Sequence, residues 1–310
     1  MSKFQFLKML FSNRLWTIDF DGASRWKRRI VRFVKLVRIM FETFAKNRMG
    51  FQCVALSYFV ALAIVPLTAL LFTLTGGLGI SDKLAAVLYN LLPNNPEIIN
   101  VVMEKADNII NVAKSGGVGT IGAVFFLWTI FWLMFQVERV FNNVWGIQKV
   151  PRKFYTRFSF YLGVLILLPV LILIFGSGIV FYSNMSNLIG VDFGDLKFLP
   201  KLLGWGVFYA ITVLTFSAMY KYIPATFVRY KNALRSAMFS AIVFTLFQYL
   251  YLETQVFVSR LNGVYGALAA IPLFLIWMNF CWQIIIYGAQ LTYGYQHVDT
   301  YKIPEWELDN

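Results

Sequence analysis

Few side chains in this chain have types and spacings suited to chemistry. The single histidine is His297, close to the C-terminus, so a Ser-His-Asp or Cys-His relay has only one histidine to draw on. The two cysteines, Cys53 and Cys281, both fall inside apolar runs. They form neither a metal-ligand cluster nor a disulfide framework, and read as small buried residues. No glycine-rich loop ends in Lys-Ser/Thr to cradle a phosphate. No two carboxylates share a soluble segment in a way that would hold paired metal ions. Catalysis, a metal and a cofactor are therefore not expected.

Polar residues inside apolar runs remain. An ionisable group within a membrane span costs at least about 2.5 kcal/mol near the bilayer centre, so each is a functional candidate. Glu138 and Arg139 stand at the end of the second run, where water can reach them. Glu253 lies near the outer end of the fifth, facing a polar cavity or snorkelling to the interface. Neutral candidates are Tyr58, Gln136, Asn142, Gln248, Asn279, Gln283 and Gln290. Asn279, Gln283 and Gln290 fall on one helical face, and such a stripe lines a pathway or joins helices. Pro66, Pro169 and Pro272 sit inside spans and are expected to kink them.

The elements that carry these residues follow from hydropathy. The 310 residues are 59% hydrophobic and 14% charged, with a mean hydropathy of +0.64. That leaves too little polar surface to cover a water-soluble globule. Six runs approach the roughly 20 residues needed to cross a roughly 30 Å hydrocarbon layer. They cover 51–74, 118–136, 159–181, 202–220, 233–257 and 267–291. None alternates like a barrel strand, so the expected fold is all-α, a polytopic membrane bundle of six transmembrane helices. No cleavable signal peptide is evident, and the first span is expected to act as an uncleaved anchor.

Basic residues set the direction. Residues 1–50 carry 12 Lys or Arg, the 137–158 loop 5, the 221–235 loop 4 and the tail after 291 carries 1. The opposite loops carry 3, 2 and 1. This bias places both termini in the cytoplasm. Its alternation also supports six crossings, in a multi-pass protein.

Three regions flank or interrupt the spans. Residues 1–50 form a basic cytoplasmic segment that contains an amphipathic interfacial helix from Arg25 to Arg48. Ile30, Phe33, Val34, Val37, Phe41 and Phe44 make its apolar stripe, and Lys27, Arg28, Arg32, Lys35 and Arg38 fall opposite. Such a helix is drawn to anionic lipid at about 1 kcal/mol per basic residue, or simply orients the protein. Nucleic acid is not an expected partner, since base-reading and stacking elements are missing. The outer loop 75–117 is patterned for two short helices, and residues 292–310 form a cytoplasmic tail.

Four stretches resemble the YihY / virulence factor BrkB family of bacterial inner-membrane proteins, often labelled ribonuclease BN-like. They are Ala55-Leu56-Ser57-Tyr58-Phe59 with Ile64-Val65-Pro66-Leu67, Glu138-Arg139-Val140-Phe141-Asn142-Asn143-Val144-Trp145-Gly146, and Tyr220-Lys221-Tyr222-Ile223-Pro224. The fourth and most specific runs from Tyr265 to Trp277 and closes with Gly288-Ala289-Gln290-Leu291. The similarity covers residues 41–295. It implies a role in envelope maintenance or in passage of a lipid-like substrate, and the residues give RNA cleavage no support. Many members of that family have Glu where this chain has Gln290. The expected function is transporter-like or lipid-handling, with a cavity between kinked spans lined by Tyr58, Asn279, Gln283 and Gln290. The rival is a non-transporting scaffold of an envelope complex. A second copy or an envelope protein as partner is left open by the sequence.

Overall fold

The computed structural model describes residues 24–76, 117–147, 198–259 and 263–301, with scattered positions between 89 and 108 and between 153 and 163. Six long helices carry the architecture: α1 Arg25–Lys46, α2 Met49–Gly76, α3 Gly117–Val144, α4 Phe198–Tyr222, α5 Tyr230–Ser259 and α6 Gly263–His297. No strand occurs among the described residues. The protein is an all-α membrane helix bundle. Two of its helices, over Tyr230–Tyr251 and Pro272–His297, are long and apolar enough to cross a membrane among the described residues. The bent pair formed by α1 and Met49–Ile64 makes a third if counted as one span. The apolar surface points outward, as a lipid solvent requires: Trp128, Leu214, Phe239, Leu246, Leu250 and Ile276 are all exposed.

Helices α2 to α6 each overlap one expected span and extend beyond it. With 25 to 35 residues apiece they reach past a roughly 30 Å core at about 1.5 Å per residue. α2 continues through Pro66 and α6 through Pro272. Pro169, almost all of the expected third span and most of the outer loop lie outside the described residues.

Ring contacts give the helix directions. Trp205 meets Tyr249 and Phe208 meets Phe244, so α4 and α5 run antiparallel. Phe247 meets Phe280 and Tyr251 stacks on Trp277, so α5 and α6 do too. Phe141 of α3 reaches Tyr220 of α4, and Trp145 reaches Tyr293 of α6. The C-terminal ends of α3, α4 and α6 thus gather with the N-terminal ends of α2 and α5. α3 and α4 point the same way.

α6 is the axis, since it touches each of the other five helices. Its last third is small and tightly surrounded. A Cβ added at Gly288 would overlap Tyr220 Oη and Ser240 Oγ and lie 2.6 Å from Tyr220 Cζ. A Cβ on Gly294 would lie 3.3 Å from Leu36 Cδ2 of α1. α5 answers with a stripe of small buried residues, Ala233, Ser236, Ala237, Ser240 and Ala241. Small faces let helices approach closely where no hydrophobic effect drives them together. Cys53 and Cys281 are free and buried, matching the expectation of small packed residues.

α1 departs from the expected two-sided helix. Its buried side chains are Val31, Leu36, Ile39 and Thr43, whereas Phe33 and Phe41 are 60% and 54% exposed. Leu36 and Ile39 pack with Leu291 and Val298 near the end of α6. The helix therefore has three sides: one on α6, one apolar and open, one basic. The apolar stripe read from the sequence is divided between the first two: Phe33 is open, whereas Phe44 stacks on Tyr287 of α6 at 4.0 Å and Phe41 meets the same ring edge-on. α1 meets α2 at a 67° bend, where Arg48 takes a positive φ of 49°.

The Gly288 contact yields a stability prediction. Gly288→Ala should cost about 1–3 kcal/mol by overpacking. Thermal unfolding in detergent reads this as a lowered Tm. Gly206→Ala should hold or raise the Tm, because a Cβ there meets nothing within 4 Å. Equal Tm values for wild type and Gly288→Ala would contradict the close approach.

Candidate functional site

The polar residues of the bundle fall into three groups, set by the helices that carry them. The first is a buried ion pair. Glu138, in the last turns of α3, is 1% exposed, and Arg157 Nε donates to its Oε2 at 2.8 Å. Tyr161 Oη donates to the same oxygen, and Arg157 also lies 4.8 Å over the Phe135 ring. Burial alone would lower the Arg157 pKa. Its contacts with Tyr161 and Glu138 outweigh that and raise it, so the guanidinium stays charged. The expectation that water solvates Glu138 is corrected here. Arg157, 19 residues further along the chain, takes the place of water.

The second group consists of amide side chains that bond within α6 and between helices. Gln290 is fully buried, and Thr43 of α1 meets it at 2.5 Å. Thr43 Oγ1 lies equally close to the Ile39 carbonyl. A hydroxyl has one proton to donate, so the pair is best satisfied with the Gln290 amide donating to Thr43 and Thr43 donating to Ile39. That orientation also occupies the Gln290 nitrogen, which otherwise has no partner. Asn279 Oδ1 accepts from Gln283 Nε2 at 2.6 Å within α6, and Gln248 Oε1 accepts from Trp277 Nε1 at 3.1 Å. Asn142 Oδ1 accepts the Ala225 amide at 2.7 Å and so holds the α4–α5 connection.

These residues do not surround one cavity. Tyr58 is 58% exposed, whereas Gln290 is sealed against α1. The expected chamber lined by Tyr58, Asn279, Gln283 and Gln290 is not formed. The Glu253 side chain lies outside the described residues.

The third group does form a cavity, between α2 and α3. It measures about 540 Å³. Gln52, Gln136, Arg139 and Asn143 supply its polar lining. Phe51, Ala55, Phe59 and Ile147 make apolar walls, and buried Leu56 and Val140 make the floor. Phe51, Ala55 and Arg139 are exposed, so the cleft opens on its flank. Asn47, the residue after α1, fixes the hinge end: its Nδ2 donates to the Asn143 carbonyl and its carbonyl accepts from Gln52 Nε2. Successive helix positions diverge by about 100°, which sends Glu138 into the bundle and Arg139 into the cleft. Of the candidates singled out in the sequence, Gln136 and Arg139 line this cleft. Its other lining residues come from α2 and from α3 and the residues just after it, whose pairing across more than 80 residues has no local signal.

On the basic side of α1, Arg32 Nη2 donates to Asp299 Oδ2 at 2.9 Å, with both side chains exposed. Burial lowers the Lys35 pKa, and Asp299 opposes the shift. Among the described residues, no group of three His, Cys, Asp or Glu side chains comes together as a metal-ligand set.

The virulence factor BrkB family profile matches residues 40–309, which takes in α2 to α6 and the cleft. The chain belongs to this family. Relatives described as UPF0761 membrane proteins include one from Mannheimia succiniciproducens, 28% identical over 83% of this chain and 88% of its own length. One from Vibrio vulnificus is 26% identical over 84% and 82%. One from Pseudomonas paraeruginosa is 26% identical over 83% of this chain, which spans only 62% of that relative. No solved structure matches. As a BrkB family member the protein is an integral membrane protein, in keeping with its outward-facing apolar helices.

The buried pair supplies a second stability prediction. Arg157→Ala leaves a carboxylate buried without its cation, at a cost of about 3–5 kcal/mol. The double variant Arg157→Ala/Glu138→Gln should regain part of the lost Tm in detergent. A double variant no more stable than Arg157→Ala would contradict a charge-paired Glu138.

Proposed function

We propose that the protein handles membrane lipid at the inner face of the bacterial plasma membrane, taking an amphipathic molecule into the α2–α3 cleft. The observation that carries this reading is the cleft's construction. Gln52 and Asn143 sit at its hinge end, Arg139 and Gln136 continue the polar side along α3, apolar side chains line α2, and one flank is open. A volume of about 540 Å³ lies within the range of sites that bind small ligands.

The placement rests on the six-span, N-in/C-in scheme, which the common end shared by α2, α3, α4, α5 and α6 supports. In that scheme Gln52 starts the first span and Gln136 ends the second, so the cleft lies at the cytoplasmic membrane boundary. Arg25 to Arg48 then follows the bilayer surface on the same side. Its open apolar side, with Phe33 and Phe41, enters the headgroup layer, while Lys27, Arg28, Lys35 and Arg38 meet anionic lipid. In this reading the protein performs no covalent chemistry on its ligand.

One observation favours a scaffold instead. The α6 axis is filled by side chains such as Tyr220, Phe141 and Ile286, each under 2% exposed. A scaffold needs no cleft, so blocking the cleft separates the two readings. In proteoliposomes with a labelled lipid, the wild-type protein should move lipid faster than empty vesicles do. Ala55→Trp, which fills the cleft, should slow that movement severalfold. Gln283→Leu, outside the cleft, should leave it unchanged. Lipid movement at the empty-vesicle rate with wild-type protein would rule out the lipid-handling reading.

A further inference from the structure

We infer that the α2–α3 cleft is a headgroup site selective for an anionic glycerophospholipid, one whose phosphodiester carries the only charge and whose head bears hydroxyls. This rests on the lipid-handling reading and names the substrate class within it.

The argument begins with charge. Arg139 is the one ionisable residue among those that line the cleft, and no carboxylate lines it. Its would-be neutraliser, Glu138, is turned into the bundle and held by Arg157 and Tyr161. Among the described residues, Arg139 has no ion-pair partner. An unneutralised guanidinium at the rim of an apolar groove favours an anion, and its planar fork suits phosphate oxygens.

The rest of the lining is neutral. Gln136 and Asn143 present amides that donate and accept, which suits hydroxyl groups on a headgroup. Gln52 gives one N–H to the Asn47 carbonyl and keeps the other. A zwitterionic head would bring an ammonium that finds no carboxylate here. The single positive charge matches one phosphodiester, and the amides match an uncharged polar head such as glycerol.

The apolar part sets the ligand's other half. Phe51, Ala55 and Phe59 recur at four-residue spacing on one side of α2, leading from the hinge end along the cleft. A free phosphate would use the donors and leave this wall idle. A lipid uses both, with its acyl chains along α2. Basic pockets between membrane helices on the cytoplasmic side commonly take anionic headgroups, which accords with the boundary position.

The experiment uses the full chain, purified in detergent and delipidated. Retained lipid is read by native mass spectrometry against equal amounts of phosphatidylglycerol and phosphatidylcholine, and thermal stability is read alongside with inorganic phosphate. The wild-type protein should retain phosphatidylglycerol about tenfold over phosphatidylcholine, the scale of one charge-assisted contact. Arg139→Gln should bring the two lipids to parity, and Arg139→Lys should keep a reduced preference. Inorganic phosphate should leave the Tm unchanged. Equal retention of both lipids by wild type would overturn the headgroup assignment and leave the lipid-handling reading standing. Stabilisation by inorganic phosphate as large as that by phosphatidylglycerol would overturn the lipid and leave an anion site. Retention of neither lipid would overturn the lipid-handling reading itself.

Discussion

Close approach to the last third of α6 is the constraint on which the structure depends. In lipid, apolar side chains gain nothing by leaving their surroundings for a neighbouring helix, so helices associate through fit and hydrogen bonds. Gly288 lets Tyr220 and Ser240 lie against the α6 backbone, and Gly294 does the same for Leu36 and Ile39. Small residues at Ala233, Ala237 and Ala241 complete the fit on α5. Among the described residues the core around α6 takes in the end where α1 docks. A contact such as Thr43 with Gln290 becomes feasible only because the helices are already that close.

That packing shapes the cleft indirectly. α2 lies against both α6 and α3, and Asn47 ties its start to the end of α3. The 67° bend between α1 and α2 fixes where α2 departs from α3. On α3, the two charges part company. Glu138 is spent inside the bundle on Arg157, and Arg139 is left for the cleft. An isolated carboxylate at Glu138 would be costly, and its pairing is what keeps the local field around Arg139 positive.

Much of the architecture is legible in the residues. Apolar runs locate α2, α3, α4, α5 and α6 to within a few residues at most ends, and family motifs point to the membrane. α3 shows the limit, since hydropathy stops near Gln136 while the helix continues to Val144. The reason is physical: Glu138, Asn142 and Asn143 look like a solvated end, but Arg157 and the Ala225 amide satisfy the first two inside the protein. The site is less legible still. Polar residues on one helix face suggested a chamber, yet Asn279 and Gln283 bond each other and Gln290 bonds Thr43. The cleft depends on Gln52 and Arg139 meeting across α2 and α3, a relation between helices that no single stretch displays. The small-residue stripe on α5 was available as a signal, at the four-residue spacing Ala233, Ala237, Ala241.

The docking of α1 on the end of α6 tests the packing account most directly. With Cys53 and Cys281 replaced by alanine, cysteines placed at Ile39 and Gly294 should be joined in membranes by a short thiol cross-linker. A cysteine at exposed Phe33 paired with Gly294→Cys should not be. Joining of both pairs alike, or of neither, would mean that α1 does not lie on α6, and the account built on that close approach would fail.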